Sequence, residues 1–192
     1  MEGETGHGTG KMSEKQLIIT FGGSCACGRI TYSSTDMPKS SCCCNCISCR
    51  KLSGGPYQAY PGVDADKITF FDNKEALRYD GLPIDNMGGI TYLRLSKAGE
   101  RAYCISCYTP LAMRYRHDPK SIAITLGTVD EETISDPQVK EGLTPVSHIF
   151  TSQRTWWQPE KSGLPCYERF SGTFESEIEQ AGTSISSQTP AA

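Results

Sequence analysis

Short apolar runs rich in Ile, Thr, Tyr and Phe recur along the chain: QLIITF (16–21), RITYSS (29–34), YQAYPGV (57–63), KITFF (67–71), ITYLRLS (90–96), PLAMRYR (110–116) and SIAITLG (121–127). β-Branched and aromatic side chains of this kind fit a pleated, half-buried surface. Polar and turn-forming pieces separate the runs, at GG 22–23, MPK 37–39, GGP 54–56, DNK 72–74 and DGLPIDNMGG 80–89. Helical signals are sparse: one turn starting at Asp130–Glu132 and a short helix following Cys49 through Leu52. The pattern predicts a mostly β fold of small antiparallel sheets. Apolar residues fade at both ends, so residues 1–15 read as a disordered arm and 173–192 as a disordered tail around a single domain, 16–172.

Length and charge narrow the field. At 192 residues the chain is one domain with room for a substantial core. A net charge of -3 and a pI near 5.6 argue against a nucleic-acid partner, whose phosphates call for a basic face. No window reaches the apolar length of a membrane span, and the opening MEGETGHGTGKMSEK lacks the hydrophobic stretch of a signal peptide. A cytoplasmic location is therefore expected. In that reducing compartment the 10 cysteines read as metal ligands or catalytic groups rather than disulfides.

The cysteines fall into two sets. Cys25-Ala-Cys27 and Cys104-Ile-Ser-Cys107 are close-spaced pairs, each after an apolar stretch. Together they can place four thiolates about one Zn²⁺, a closed site that contributes to folding. The plainer alternative is four ordinary buried cysteines. The second set is SCCCNCISCR (41–50), in which Cys44-x-Cys46-x-x-Cys49 offers three thiolates. Three protein ligands and one open position are the pattern of a catalytic zinc. Arg50 and Lys51 would offset its charge and steer an anionic substrate. Two other readings stay open: Cys42 or Cys43 closes the site as a fourth ligand, or neighbouring thiols form a redox pair.

Five ordered segments give the chain a family resemblance: GGSCACGRITY (22–32), CNCISCRKLSG (44–54), CISCYTPLAMR (104–114), IAITLGTVD (122–130) and HIFTSQRTWWQPEKSGLPCYE (148–168). Over about 17–170 the chain resembles the glutathione-dependent formaldehyde-activating enzymes, a family that also includes centromere protein V. The resemblance implies a zinc-clipped β-tent fold with two zinc ions. Cys25, Cys27, Cys104 and Cys107 would hold the structural ion and Cys44, Cys46 and Cys49 the catalytic one. It also implies carbon–sulfur lyase chemistry on a small carbonyl compound, free or as a glutathione adduct.

His148 would act near the pocket, where an imidazole can shuttle protons, with Asn45, Arg50 and Trp157 contacting substrate. Two departures stand out. Asn45 occupies the place of a usual His, and Tyr108 the place of a Gly whose turn needs positive φ. The alternatives are a zinc-dependent lyase, dehydratase or isomerase acting on a larger carbonyl metabolite, and a non-enzymatic zinc-bound protein-interaction module.

Overall fold

The computed structural model describes residues 19–77, 88–95, 99–134, 136–158 and 163–170. The expected arm (1–15), the expected tail (173–192) and most of the DGLPIDNMGG loop lie outside the described residues.

Strands dominate, as the apolar runs predict. They are β1 (Phe21–Ser24), β2 (Ile30–Ser34), β3 (Lys39–Cys44), β4 (Gln58–Asp64), β5 (Ile68–Asp72), β6 (Glu75–Leu77), β7 (Ile90–Leu93), β8 (Gly99–Cys104), β9 (Pro110–Tyr115), β10 (Ser121–Ile124) and β11 (His148–Ile149). Two short helices complete the set, α1 (Ile47–Ser53) and α2 (Pro137–Leu143). The turn expected at Asp130–Glu132 is a single 3-10 turn over Glu131–Thr133. Of the run expected at 16–21, residues 16–18 lie outside the described residues; β1 runs through FGGS, and at Gly23 the chain lies close to its neighbours. A Cβ there would run into the Thr128 carbonyl and the Tyr32 ring.

The strands form two sheets, one of four strands in the order β1-β2-β5-β6 and one of seven in the order β11-β3-β4-β10-β9-β8-β7. Pairing is antiparallel except between β11 and β3. One face of the seven-stranded sheet packs on the smaller sheet. Phe21, Ile30, Ile68 and Phe70 there meet Val63, Ala102, Leu111, Ile122 and Ile124 in one continuous core. Side chains alternate across a strand, so the intervening residues of the same strands face the other way. These are Cys42, Tyr60, Gly62, Arg101, Met113 and Ala123, and the register sets Cys42 against Tyr60, Arg101 against Met113, and Ala123 against both Met113 and Gly62; on β9 a bulge opposite Ala102–Tyr103 shifts the alternation, so that Leu111 and Ala112 both reach the core while Met113 does not. This second face bears the candidate site.

β8 is buried at every position, although it contains Glu100 and Arg101. On the core side the Glu100 carboxylate accepts from Arg94 Nε at 2.9 Å, a terminal nitrogen of Arg114 at 3.0 Å and one of Arg116 at 3.3 Å. These charge-assisted bonds tie β8 to β9 and to the end of β7, and they let a carboxylate sit at 1% exposure.

Candidate functional site

The first cysteine set lies where the small sheet meets the end of β8. Cys25 and Cys27 occupy the β1–β2 turn, and Cys104 and Cys107 the β8–β9 turn. The four Sγ atoms lie within 4.8 Å of one another. Two separations, 3.5 Å from Cys25 to Cys27 and 3.8 Å from Cys27 to Cys104, approach the tetrahedral edge of ~3.8 Å that follows from Sγ atoms about 2.3 Å from a shared ion. Both turns adopt the left-handed backbone that such a knuckle needs, Gly28 at φ 74° and Tyr108 at φ 57°. Tyr108 thus takes, at some conformational cost, the shape a glycine takes freely, held by its N–H donating to the Cys104 carbonyl at 2.9 Å. Burial pushes the Cys107 thiol up, but bonds from Thr109 outweigh it and bring the group down to about 6, favouring a thiolate.

The second set is local in sequence. β3 ends at Cys44, and α1 begins two residues later with Cys46 as its N-cap. The Cys46 sulfur accepts from the Cys49 N–H at 3.4 Å, as a Ser or Asp oxygen does in the usual cap. That cap draws Cys46 and Cys49 together beneath Cys44, and the three buried Sγ atoms lie within 4.8 Å of one another. Neither Cys42 nor Cys43 belongs to this group. Hydrogen bonds from Cys44 and Cys46, followed by the Arg101 guanidinium, hold the Cys49 thiol well below its ordinary range. The same sharing pushes Cys44 well up. The three buried sulfurs form a compact donor set suited to a metal ion.

This group forms the floor of a cavity of about 450 Å³. Around it stand Tyr60, Arg101, Met113, Tyr115, Ile149, Phe150 and Phe170, with Lys39, Ser40, Asp118 and Ser121 at the rim. The Tyr60 hydroxyl donates to Gln58 Oε1 at 2.7 Å and lies 3.9 Å from Cys49 Sγ. A terminal nitrogen of Arg101 donates to Cys49 Sγ at 3.8 Å. Phe150 has left-handed backbone (φ 57°), and its ring packs edge-on against Phe170 at 4.6 Å.

The other cysteines and the sequence-derived contact residues are placed as follows. Cys42 lines the cavity, and burial pushes its thiol up to about 12. Cys43, one residue on, points to the opposite face, and burial raises it to about 11. Asn45 and His148 also lie off the cavity. Asn45 is fully buried, and its Nδ2 donates to the Cys43 carbonyl at 3.1 Å and the Ile149 carbonyl at 2.9 Å, fastening β3 to β11. His148 Nδ1 lies 3.2 Å from the same Nδ2, and its ring meets Tyr57 edge-on. Arg50 lies in the last turn of α1, and Trp157 is half exposed; neither lines the cavity. Tyr60, Arg101, Met113 and Phe150 lie outside the sequence-derived set. Of these only Arg101 left a trace in the sequence, as a charge inside the strand leading to Cys104.

No curated protein matches the chain. A solved Rhodobacter sphaeroides protein is similar at 12% identity and a TM-score of 0.44, covering 61% of this chain and 92% of that one. The family model for the glutathione-dependent formaldehyde-activating enzymes matches residues 20–153. That span takes in both cysteine groups and the strands that bring Tyr60 and Arg101 to the cavity, so the chain belongs to the glutathione-dependent formaldehyde-activating enzyme family.

Proposed function

We propose that the protein is a zinc-dependent carbon–sulfur lyase-type enzyme that joins a thiol to a small carbonyl compound, or reverses that step. Glutathione is the leading thiol. The observation that carries this reading is the contrast between the two groups: four thiols close on one another at a sheet junction, while three stand at the floor of a cavity. The first suits a structural zinc and the second a catalytic zinc with one position free for a ligand. When bound there, zinc supplies Lewis acidity and holds a thiol in its more nucleophilic, deprotonated form.

The chain's own residues supply the rest. In the addition the sulfur–carbon bond forms as the carbonyl π bond opens, and the proton lost by the thiol ends on the new hydroxyl. Arg101 places a positive charge beside Cys49, where negative charge gathers on sulfur and oxygen. Tyr60 donates its hydroxyl proton to Gln58 and so holds its oxygen 3.9 Å from the same sulfur. Met113, Ile149 and Phe150 keep water from the reacting atoms. His148 and Asn45 act from behind, by setting the β3–β11 register that positions Cys44. Thiolate ligands of this kind suit a reducing compartment such as the cytoplasm.

Metal content and turnover test this reading together. The wild-type protein should hold two zinc ions and form the glutathione–formaldehyde adduct faster than the uncatalysed reaction, measured by NMR with labelled formaldehyde. Cys46→Ser should hold one ion and show no acceleration; full turnover in that variant would overturn the proposal. The cavity volume favours a second reading as well, in which the same site works on a carbonyl compound far larger than formaldehyde.

A further inference from the structure

Arg101 is buried to 5% exposure and lines the cavity. Its neighbour Glu100 gathers three other arginines on the opposite face of β8, and among the described residues no carboxylate pairs with Arg101. A guanidinium carries five N–H donors. Here one terminal nitrogen meets Cys49 Sγ at 3.8 Å, and Nε has no partner. Simple compensation of the thiolate charge explains the position of the cation but not the unpartnered Nε. A buried donor without a partner is costly, and a planar anion would lower that cost, because the fork of an arginine matches a carboxylate in two parallel bonds.

The walls define the rest of the ligand. Met113, Tyr115, Ile149, Phe150 and Phe170 are apolar or aromatic, and they extend from the three thiols toward the rim. A terminal nitrogen of Arg101 lies 3.8 Å from Cys49 Sγ, so a ligand group that meets the guanidinium would also lie close to the three thiols.

We propose that Arg101 anchors a ligand carboxylate. The cavity takes a compound whose carboxylate lies two or three bonds from the thiol or carbonyl that meets the Cys44–Cys46–Cys49 group, and whose apolar body runs along Met113, Phe150 and Phe170. This deepens the reading of the site given above and rests on those three cysteines holding a metal.

The test uses cobalt-loaded protein, whose thiolate absorption bands report directly on the fourth ligand. The probes are 2-sulfanyl-3-phenylpropanoate and its primary amide, which differ only in the anion, with glutathione as a reference thiol. Wild type should bind the acid roughly ten to a hundred times more tightly than the amide, the span expected for a charge-assisted hydrogen bond. Arg101→Met should bind the two alike, with its cobalt count unchanged. If that variant loses metal, Arg101→Lys keeps the charge without the fork and should show a preference well below wild type. A crystal structure of the wild-type complex should then place the carboxylate against the guanidinium.

Equal binding of acid and amide by wild type, or an undiminished preference in Arg101→Met or Arg101→Lys, overturns the anchor and leaves the metal reading standing. If neither probe nor glutathione perturbs the cobalt bands, the open metal position is refuted, and the anchor with it.

Discussion

Replacing Cys104 with Ser tests whether the four-cysteine group is the clip between the two sheets. Cys27 and Cys104, 3.8 Å apart at sulfur, are separated by 77 positions in sequence. An ion held by both closes a long loop, and the entropy denied to the unfolded chain follows the same form as for a disulfide. For a loop of this length that is about 4–5 kcal/mol. The span from Cys44 to Cys49 is far shorter, and the same relation gives about 2 kcal/mol. Serine also remains a good N-cap at position 46, so Cys46→Ser keeps the helix start that Cys46 now provides. For a chain of this size 1 kcal/mol moves the melting temperature by about 2–4 °C. Cys104→Ser should therefore melt roughly 10–18 °C below wild type in metal-replete buffer, and Cys46→Ser by less than half as much. Scanning calorimetry with metal counted per chain measures both. If Cys104→Ser melted within about 2 °C of wild type, or the two variants fell equally, the clip argument would be wrong.

Three further outcomes follow from the packing. Glu100→Gln leaves three arginines around a buried amide and should cost about 3–5 kcal/mol in urea unfolding, because a buried pair is broken on one side only. Gly23→Ala should fail to give soluble folded protein or should melt far below wild type, since the new methyl meets the Thr128 carbonyl and the Tyr32 ring. Burial, and after it the charge of Arg154, holds His148 below its ordinary value of 6.5. The unfolded chain then takes up that proton first, so stability should fall as pH drops from about 6.5. His148→Gln should flatten that decline in melts between pH 7 and 5; an identical decline in both proteins would show that another group is responsible.

The parts of the fold legible in the sequence were those whose side chains carry strand preference themselves. RITYSS, KITFF and PLAMRYR became β2, β5 and β9 with little change of bounds. KSSCCC did not read as a strand, and GERAYC read only as the end of the longer stretch before Cys104, because small, thiol and charged residues have little such preference. They are strands through context: β3 lies between β11 and β4, and β8 is buried on both faces with its charges matched by neighbours. α2 was not anticipated: its start, an Asp136 N-cap followed by Pro137, opens an element of only seven residues. At the site the thiols were legible because their spacing is local. Tyr60, Arg101 and Met113 were not, since they reach the cavity through the pairing of Cys42 with Tyr60 and of Arg101 with Met113, contacts that no local pattern specifies.

β8 links the two cysteine groups physically. Its alternation sends Glu100, Ala102 and Cys104 toward the smaller sheet and Arg101 toward the cavity. A carboxylate ringed by arginines thus backs directly onto an arginine facing thiols, with opposite charges on successive residues of one strand. Cys104 belongs to the four-thiol cluster at one end of β8, and near the other end Glu100 accepts from Arg94 and Arg114. Held at both ends, the strand leaves Arg101 little freedom to swing away from Cys49. One strand thus carries both a member of the four-cysteine cluster and the buried cation of the cavity, so a shift of β8 at Cys104 would be felt at Arg101.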